Sequence, residues 1–339
     1  MITQKLDAIN DYENSINVAS QILRQDGIVA VPTETVYGLA ASAYSDIAIK
    51  KVFEAKGRPQ DNPLIVHISN LEMLSEVAGD IPESAYKCAK AFWPGPFTMV
   101  LPKGNKIANS VSGGLDTVAV RFPSEKTICD IIEKSGLPLA APSANTSGKP
   151  SPTTANHVID DLDGKIDAIV IGRDSLVGVE STVVSLVGEK PRLLRPGAVT
   201  PSQLRNKLPD LVIDDAVLEQ LKEGEAAASP GMKYKHYAPK TKAILVEGCS
   251  NSFVKFVNSQ SDCAAICFEE EYYSISAPKI SYGSKRNEST LAKNVFSALR
   301  EVDNLDVKQV YIHAPSKEGV GLAVYNRLIR ACAFNVVVL

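Results

Sequence analysis

The sequence lacks the features that would place it in a membrane or on a secretory route. Its longest uninterrupted apolar run is six residues, Cys263 to Phe268, whereas a helix needs about 20 to cross a bilayer. The first ten residues, MITQKLDAIN, carry no basic and apolar signal pattern. The 6 cysteines are scattered without a CxxC pair, which favours buried thiols over a metal site or a disulfide. We therefore expect a cytoplasmic protein with no membrane partner.

Several enzyme fingerprints are also missing. The sequence has no GxxxxGK[ST] loop, no GxGxxG after a strand, no GxSxG and no HExxH, and it holds only 4 histidines. These absences argue against P-loop, nicotinamide-dependent, serine-hydrolase and zinc-dependent chemistry, and no metal-ligand set is predicted. Catalysis by positioning and charge neutralisation is favoured instead.

The composition is that of an ordinary globular chain. Hydrophobic residues make up 45% and charged residues 22% of the 339 residues, and the net charge is -3. A chain of this length is typical of two domains rather than one. Its weak acidity argues against a broad nucleic-acid-binding surface, so strong binding of tRNA is not expected.

Hydrophobic periodicity predicts a mixed α/β chain in two parts. Short apolar strands alternate with helical patterns over residues 1–208. We assign 209–241 to a linker, because residues 222–241 have few apolar side chains and two prolines and contain SPGMKYKHYAP. The strand and helix patterns resume over 242–339, as in a small open parallel sheet. We predict two domains joined by this linker.

Three polar segments carry the candidate chemistry; the first and third follow predicted strands, and the second leads into one. They are PTETVYGLA (32–40), KGRPQDNPLIVHI (56–68) and APSANTSGKPSPT (141–153). Two cations on a proline-rigid loop suit a polyphosphate, and short hydroxyls with backbone amides can cradle phosphates. Arg121 and Arg195 end two further strands, where each could bind a carboxylate or phosphate or form a structural ion pair. Taken singly, the first two loops are better explained as ordinary solvated turns, and the third could be a Pro/Ser surface loop.

Together and in this order, the loops resemble the YrdC-like family of threonylcarbamoyl-AMP synthases, in its long two-domain form. Four further motifs contribute to the resemblance: WPGPFT (93–98), GLDTVAVRFP (114–123), GVESTVV (178–184) and LLRPG (193–197). The fold implied is an α/β one: a YrdC-like twisted mixed sheet around a concave cavity, followed by a smaller Rossmann-like domain.

The resemblance also implies an activity. The family joins L-threonine, bicarbonate or CO2 and ATP into threonylcarbamoyl-AMP and pyrophosphate, a nucleotidyltransferase reaction. The product passes transiently to a tRNA threonylcarbamoyl transferase, which forms threonylcarbamoyladenosine in tRNA. Mg²⁺ is expected with ATP, held mainly by the nucleotide and by water.

The resemblance assigns residues to these substrates. The catalytic set around the phosphates is Lys56, Arg58, Ser143 and Asn145. Further ATP contacts are Asn62, Thr117, Ser151, Arg195 and His236. The L-threonine contacts are Thr33, Thr35, His67, Arg121, Ala141 and Ser181. Within the linker, Tyr234, His236 and Tyr237 are expected to form a lid that excludes water from labile intermediates; the alternative is a plain tether.

Two other functions compete with this interpretation. One is a non-catalytic RNA-binding or translation-associated module, since the family cavity is basic. The other is a carbamoyltransferase of the hydrogenase-maturation type, which also contains a YrdC-like domain. That enzyme carries an acylphosphatase-like unit and zinc-binding CxxC motifs, and neither is visible in this sequence.

Overall fold

The structure, a computed structural model, describes residues 2–60, 62–219 and 237–339. Contacts between Cα atoms divide the chain into two compact units. The first comprises Met1–Ser147 and Ser151–Lys233, and the second comprises Gly148–Pro150 and Tyr234–Leu339. No helix in the described residues is both long and apolar enough to span a membrane.

The first unit alternates strands and helices. Its strands are β1 (Gln4–Asp7), β2 (Val29–Val31), β3 (Gly38–Ser42), β4 (Ile65–His67), β5 (Phe97–Pro102), β6 (Thr117–Arg121), β7 (Leu139–Ala140), β8 (Ala168–Ile171), β9 (Thr182–Ser185), β10 (Arg192–Arg195) and β11 (Val212–Ile213). Its helices are α1 (Tyr12–Arg24), α2 (Asp46–Lys56), α3 (Leu71–Val77), α4 (Glu83–Phe92), α5 (Asn109–Ser112), α6 (Lys126–Ser135), α7 (Ala155–Leu162) and α8 (Pro201–Arg205).

All the strands of this unit belong to one mixed sheet. Its order is β1-β8-β2-β3-β7-β4-β6-β5-β9-β10-β11. Parallel pairs such as β4 with β6 stand beside antiparallel pairs such as β6 with β5. The predicted mixed α/β fold is therefore confirmed for this part of the chain.

Two apolar clusters cover this sheet. Leu39, Phe53 and Phe97 belong to the larger one, and Leu23 and Ile131 to the smaller one, which includes residues of α1 and α6. Each of these side chains is at most 2% exposed. Burial of this extent, at about 25 cal/mol per Å² of apolar surface, is the main stabilising term for the unit.

Helix α2 positions the first predicted cation. Ser45 caps the helix by accepting the amide hydrogen of Ala48, and Gly57 ends it with φ +62, a left-handed conformation that glycine adopts without strain. Lys56 is therefore the last helical residue, and the expectation that Lys56 and Arg58 share an irregular loop is wrong for Lys56. The helix continues because KKVFEAK lacks a breaker before the glycine.

The second unit is a five-stranded parallel sheet. Its strands are β12 (Lys242–Glu247), β13 (Cys263–Cys267), β14 (Lys279–Ser281), β15 (Gln309–His313) and β16 (Val336–Val338), in the order β14-β13-β15-β12-β16. Its helices are α9 (Ser250–Asn258), α10 (Glu288–Glu301) and α11 (Gly321–Ala331). All four strand pairs are parallel, which confirms the smaller Rossmann-like α/β domain.

The cysteines are free thiols. Cys263 and Cys267 are buried in β13, as the alternating apolar pattern predicts. Cys249 is exposed before α9, so the expectation of buried thiols fails at that position, where the chain has left the sheet.

Candidate active site

A row of polar side chains crosses five neighbouring strands of the first unit. His67 at the end of β4 lies opposite Arg121 at the end of β6 in the strand pairing, and Arg121 lies opposite Thr98 on β5. Registered partners project from the same face of a sheet, and the Thr98 hydroxyl lies 2.7 Å from that of Ser181, just before β9. We call His67, Arg121, Thr98, Ser181 and Arg195 the strand row.

Arg121 is the centre of the strand row. Its side chain is 3% exposed, and it donates from Nη1 to Thr35 Oγ1 (2.8 Å) and from Nε to the Gly95 carbonyl (3.2 Å). Its Nη2 lies 2.7 Å from Glu34 Oε2 in a buried ion pair. A guanidinium has five N–H groups, so two remain after these three contacts.

Glu34 supplies the countercharge. Its other oxygen accepts the Ser124 amide hydrogen at 3.0 Å. Burial raises the pKa of Glu34, but the charge and hydrogen bond of Arg121, together with the Ser124 amide, outweigh burial and hold the pKa below its ordinary value. The pair is therefore charged at neutral pH.

Two threonines of the first polar loop fix this arrangement. Thr33 Oγ1 accepts the amide hydrogens of Thr35 and Val36, at 3.1 and 3.2 Å, and donates to the Val36 carbonyl. The hydroxyls of Thr33 and Thr35 are 2.9 Å apart. The turn thus holds the Thr35 hydroxyl against Arg121. Thr33 does not contact Arg121 in these bonds but fixes the position of Thr35.

Arg195 closes the strand row at the end of β10. It donates from Nε to the Ser181 carbonyl (3.0 Å) and from Nη2 to the Ser181 hydroxyl (3.1 Å). Gly197, two residues later, lies so close to Thr182 that a Cβ there would stand 2.4 Å from its amide nitrogen. The Arg-Pro-Gly sequence therefore lets the chain pass directly over the start of β9.

A second group of polar atoms surrounds Lys56. Its Nζ donates to the carbonyls of Ser143 (2.5 Å) and Asn145 (2.7 Å) and lies 3.5 Å from Asn145 Oδ1. Asn145 also donates from Nδ2 to the Thr146 carbonyl. We call Lys56, Ser143 and Asn145 the loop cluster. The structure brings these three residues of the predicted phosphate-binding set into contact.

Burial and the nearby Arg58 lower the pKa of Lys56. Three oxygen acceptors around the ammonium act against that effect, because they solvate the charged form. Arg58 itself is half-buried, and its Nη2 faces the carbonyls of Asn62 and Pro63 at 3.4 and 3.5 Å. The Lys56 ammonium is thus enclosed beneath the loop of Ser143 and Asn145, and the Arg58 guanidinium is partly open to solvent.

Two buried polar groups near these clusters have unbonded atoms. The amide of Asn62 is fully buried, yet neither its oxygen nor its nitrogen has a hydrogen-bond partner among the described residues. The same holds, within this part of the chain, for Nδ1 of His67. Burial and then the charge of Arg121 lower the pKa of His67 to about 3. Buried polar atoms normally find partners, so both groups are suited to accept or donate to a ligand.

The remaining predicted residues occupy different places. Ser151 is buried and donates to Glu180 Oε1 at 2.5 Å. Ala141 follows β7 and donates its amide hydrogen to the Ile65 carbonyl at 3.0 Å. Thr117 begins β6, four residues or about 13 Å from Arg121 along the strand. A ligand that contacts both ends of β6 must therefore be extended.

The predicted lid is only partly described. Tyr234 and His236 lie outside the described residues, and their roles stay predictions. Tyr237 is buried with φ +64, and its ring packs on that of Phe296 at 5.1 Å within the second unit.

Three residues in contact with the predicted ones were missed by the sequence-based assignment. They are Glu34, Thr98 and Glu180, each of which bonds directly to a predicted residue. All three lie inside the quoted motifs PTET, PFT and GVEST. Their pairing depends on contacts between distant segments, which motif position alone does not give.

The described residues contain no group of three or more His, Cys, Asp or Glu side chains that could hold a metal ion. Glu34 is engaged by Arg121, and Glu180 accepts from Ser151. This donor set fits a cation that arrives with a polyphosphate and keeps its water ligands, rather than one held in a protein cage.

Two family models cover most of the chain. The Sua5_yciO_yrdC model, described as "Telomere recombination", matches residues 21–197. The Sua5_C model, described as "Threonylcarbamoyl-AMP synthase, C-terminal domain", matches residues 199–333.

Curated proteins and solved structures agree with these models. The chain is 43% identical to threonylcarbamoyl-AMP synthase of Pyrococcus abyssi (96% of each chain) and 41% identical to that of Bacillus subtilis (98% of this chain, 96% of the relative). A crystal structure of P. abyssi Sua5 complexed with L-threonine superposes with a TM-score of 0.92 and 39% identity, covering 100% of both chains. Escherichia coli YciO shares the fold over 58% of this chain and 96% of its own, with a TM-score of 0.52 and 21% identity. The chain therefore belongs to the threonylcarbamoyl-AMP synthase family, in its two-domain Sua5 form.

Proposed function

We propose that this protein is an L-threonylcarbamoyladenylate synthase. It would convert L-threonine, bicarbonate or CO2 and ATP into threonylcarbamoyl-AMP and pyrophosphate, as a nucleotidyltransferase. The observation that carries the proposal is the strand row. In it, the buried Arg121 with two remaining N–H groups stands beside the buried His67, which has an unbonded ring nitrogen. The chain that holds this row aligns over 96% of its length with a named synthase.

Arg121 would bind the carboxylate of L-threonine. Two N–H groups are the number that a bidentate carboxylate requires, and Glu34 and Thr35 hold the guanidinium in place. His67, with its pKa lowered to about 3 by burial, is neutral at physiological pH and can bond the substrate without repelling its ammonium group. Ser181, Thr33 and the backbone of Ala141 complete this end of the proposed site.

The phosphates of ATP would lie over the loop cluster. Arg58, the Ser143 hydroxyl and the buried amide of Asn62 supply donors there. Ser151, and Arg195 from the strand row, would be further contacts of the nucleotide. Thr117 and His236 remain further proposed nucleotide contacts. All three Lys56 N–H groups face acceptors. Lys56 would therefore fix the Ser143–Asn145 turn and add positive charge beneath it. A direct contact with ATP would require Lys56 to exchange one carbonyl for a phosphate oxygen.

The chemistry follows from these placements. The threonine amine forms a C–N bond to CO2 and loses a proton, which gives a carbamate. A carbamate oxygen then bonds to the α-phosphorus while the bond to the β-phosphate oxygen breaks, and pyrophosphate leaves. Negative charge grows on the phosphate oxygens, so fixed cations and donors would lower the barrier. Mg²⁺ bound to ATP would neutralise part of that charge.

The product is a mixed anhydride that water destroys, so we infer direct use by a tRNA threonylcarbamoyl transferase in the same compartment. The free cysteines favour a reducing compartment, which is why we propose the cytoplasm.

The test is a reaction with ATP, Mg²⁺, L-threonine and ¹³C-bicarbonate. We expect pyrophosphate and a threonylcarbamoyl-adenylate carrying one ¹³C by mass, and loss of both when threonine or bicarbonate is omitted. Lys50→Ala, on the exposed face of α2, is the matched control for Lys56→Ala. Absence of product, with Lys56→Ala indistinguishable from wild type, would refute the synthase; tight tRNA binding without turnover would instead support an RNA-binding module.

A further inference from the structure

The second unit contains a cavity that the proposed reaction does not use. Its volume is about 290 Å³, at the lower end of the range for small-molecule sites. It is lined by Gly248, Phe268, Lys285, Glu288, Leu291 and residues 314–316. Gly248 follows β12, Phe268 follows β13 and Ala314 follows β15, so the cavity lies at the carboxyl ends of the parallel strands.

The strand order explains why a crevice opens there. The connection from β12 runs past β15 to β13, whereas the connection from β15 runs past β12 to β16. Because parallel crossovers are right-handed, these two connections leave opposite faces of the sheet, with α9 on one face and α11 on the other. Loops that depart from adjacent strands in opposite directions leave a gap between them, and open α/β sheets bind ligands at that point.

The cavity presents one cation and one anion. Lys285 is exposed, and its Nζ lies 5.6 Å from the ring centroid of Phe268. Glu288, in the first turn of α10, is half-buried and accepts the Gly321 amide hydrogen through Oε2 at 2.8 Å. Among the described residues no ion pair joins either side chain to an opposite charge. Both side chains therefore line the same cavity, and neither is neutralised by an ion pair in the described part of the chain.

The position of the carboxylate is fixed by close packing. A Cβ at Gly321 would stand 2.7 Å from Glu288 Oε1, and one at Gly319 would stand 2.9 Å from Oε2. Gly319 has φ +53, a conformation that glycine adopts without strain, and a Cβ at Gly321 would also stand 2.6 Å from the Ser316 carbonyl oxygen. Both positions therefore favour glycine, and the loop before α11 lies close to the carboxylate.

A buried pair holds the base of the cavity. Nδ1 of His313 lies 2.7 Å from Glu271 Oε1, and its Nε2 lies 3.1 Å from the Gly248 carbonyl. The His313 ring also stacks on Phe253 at 4.3 Å. The ends of β12 and β15 are thus tied together before any ligand arrives.

We propose that this cavity binds a small zwitterionic α-amino acid, with its carboxylate on Lys285 and its ammonium group on Glu288. A simple anion would be repelled by Glu288 and a simple cation by Lys285, whereas a zwitterion pairs with both. The aliphatic side of the ligand would pack against Leu291 and Pro315. This inference rests on the second unit alone and does not depend on the proposed synthase activity.

The test uses the full-length protein with ¹³C-labelled leucine and alanine methyl groups. The signals of Leu291 and Ala314 report on the cavity itself. Titration with L-threonine, L-serine and L-alanine should shift both signals saturably for at least one of them. Propionate and isopropylamine, which each carry one of the two charges, should bind at least tenfold more weakly.

Charge-removing variants locate the contacts. Lys285→Gln and Glu288→Gln should each weaken the titration at least tenfold. In Glu288→Gln the side-chain amide oxygen can still accept the Gly321 amide hydrogen, so the loop before α11 keeps its anchor. Lys293→Gln, the same change at an exposed position on α10, should leave the titration unchanged.

Three outcomes would overturn the inference: no saturable shift with any amino acid, equal binding of the single-charge analogues, or wild-type titration of both variants. Pyrophosphate release measured on the same samples separates this result from the proposed function, because an active synthase without methyl shifts contradicts only the amino-acid site.

Discussion

The two units bury charged side chains in different ways. In the second unit, Glu271 and His313 are at most 2% exposed and pair with each other. In the first unit, Arg121 and Glu34 are also paired, but unbonded atoms of His67 and Asn62 lie buried among the proposed site residues. Burial of charge by itself therefore does not mark a functional site. Burial of polar atoms whose hydrogen bonds are incomplete is the stronger indicator, because folding alone gives no reason to retain them.

The substitution with the largest expected effect removes a buried cation from the first unit. Lys56→Met should lower kcat/KM for ATP by about 10²–10³-fold, since it removes a positioned cation and releases the Ser143–Asn145 turn. Initial rates of pyrophosphate release measure it. Lys50→Met, on the same helix but exposed, should stay within twofold of wild type; an equal loss in both variants would contradict the assigned role of Lys56.

Glu34→Gln tests whether the strand row depends on its internal countercharge. A hydrogen bond to a charged group contributes about 1.5–3 kcal/mol, so KM for L-threonine should rise roughly tenfold to hundredfold while kcat changes less. Steady-state kinetics with varied threonine check this. Glu125→Gln is the control, because Glu125 caps α6 and bonds to Thr127 and Ile128 rather than to Arg121. A fall in kcat alone would point to a different role for Glu34.

Glu271→Ala tests the buried pair of the second unit. It leaves the buried His313 ring without its Glu271 partner, and a buried polar group left unsatisfied typically costs about 1–3 kcal/mol. Faster amide hydrogen exchange in β12 and β15 should report this, whereas kcat of folded enzyme at 25 °C should be unchanged. A proportional loss of kcat would mean that the second unit's charge pair also serves the reaction.

The smallest expected effect concerns pH. Burial, and then Arg121, keeps the pKa of folded His67 at about 3, below the unfolded value of 6.5. The unfolded chain therefore takes up this proton first, and the stability contribution present above pH 6.5 is lost as pH falls toward 3.

His67→Gln should remove that dependence. Between pH 7.5 and pH 4.5, the Tm of wild type should fall by up to about 5 °C more than that of the variant. Thermal unfolding in matched buffers measures the difference. Parallel curves for the two proteins would show that His67 is not neutral and buried as described.

Local signals in the sequence were enough for much of the fold. Periodicity predicts strands over residues 64–68, 117–122 and 307–313, and β4, β6 and β15 form there. The predictions missed β1, β3, β11, β14 and β16, because short strands of two to five residues carry little periodic signal. Their positions depend on pairing with neighbours that are distant in the chain.

The sequence by itself determined the classes of chemistry that are excluded, the order of the polar loops and, through their resemblance to a family, the expected substrates. Only the tertiary structure decided which polar atoms meet. It placed Glu34 on Arg121, Thr98 on Ser181 and Glu180 on Ser151, pairs separated by between 29 and 87 residues. It also placed Lys285 and Glu288 around one cavity with the loop that follows β15. The physical reason is that strand register and crossover handedness, not local sequence, bring distant side chains to one edge of a sheet.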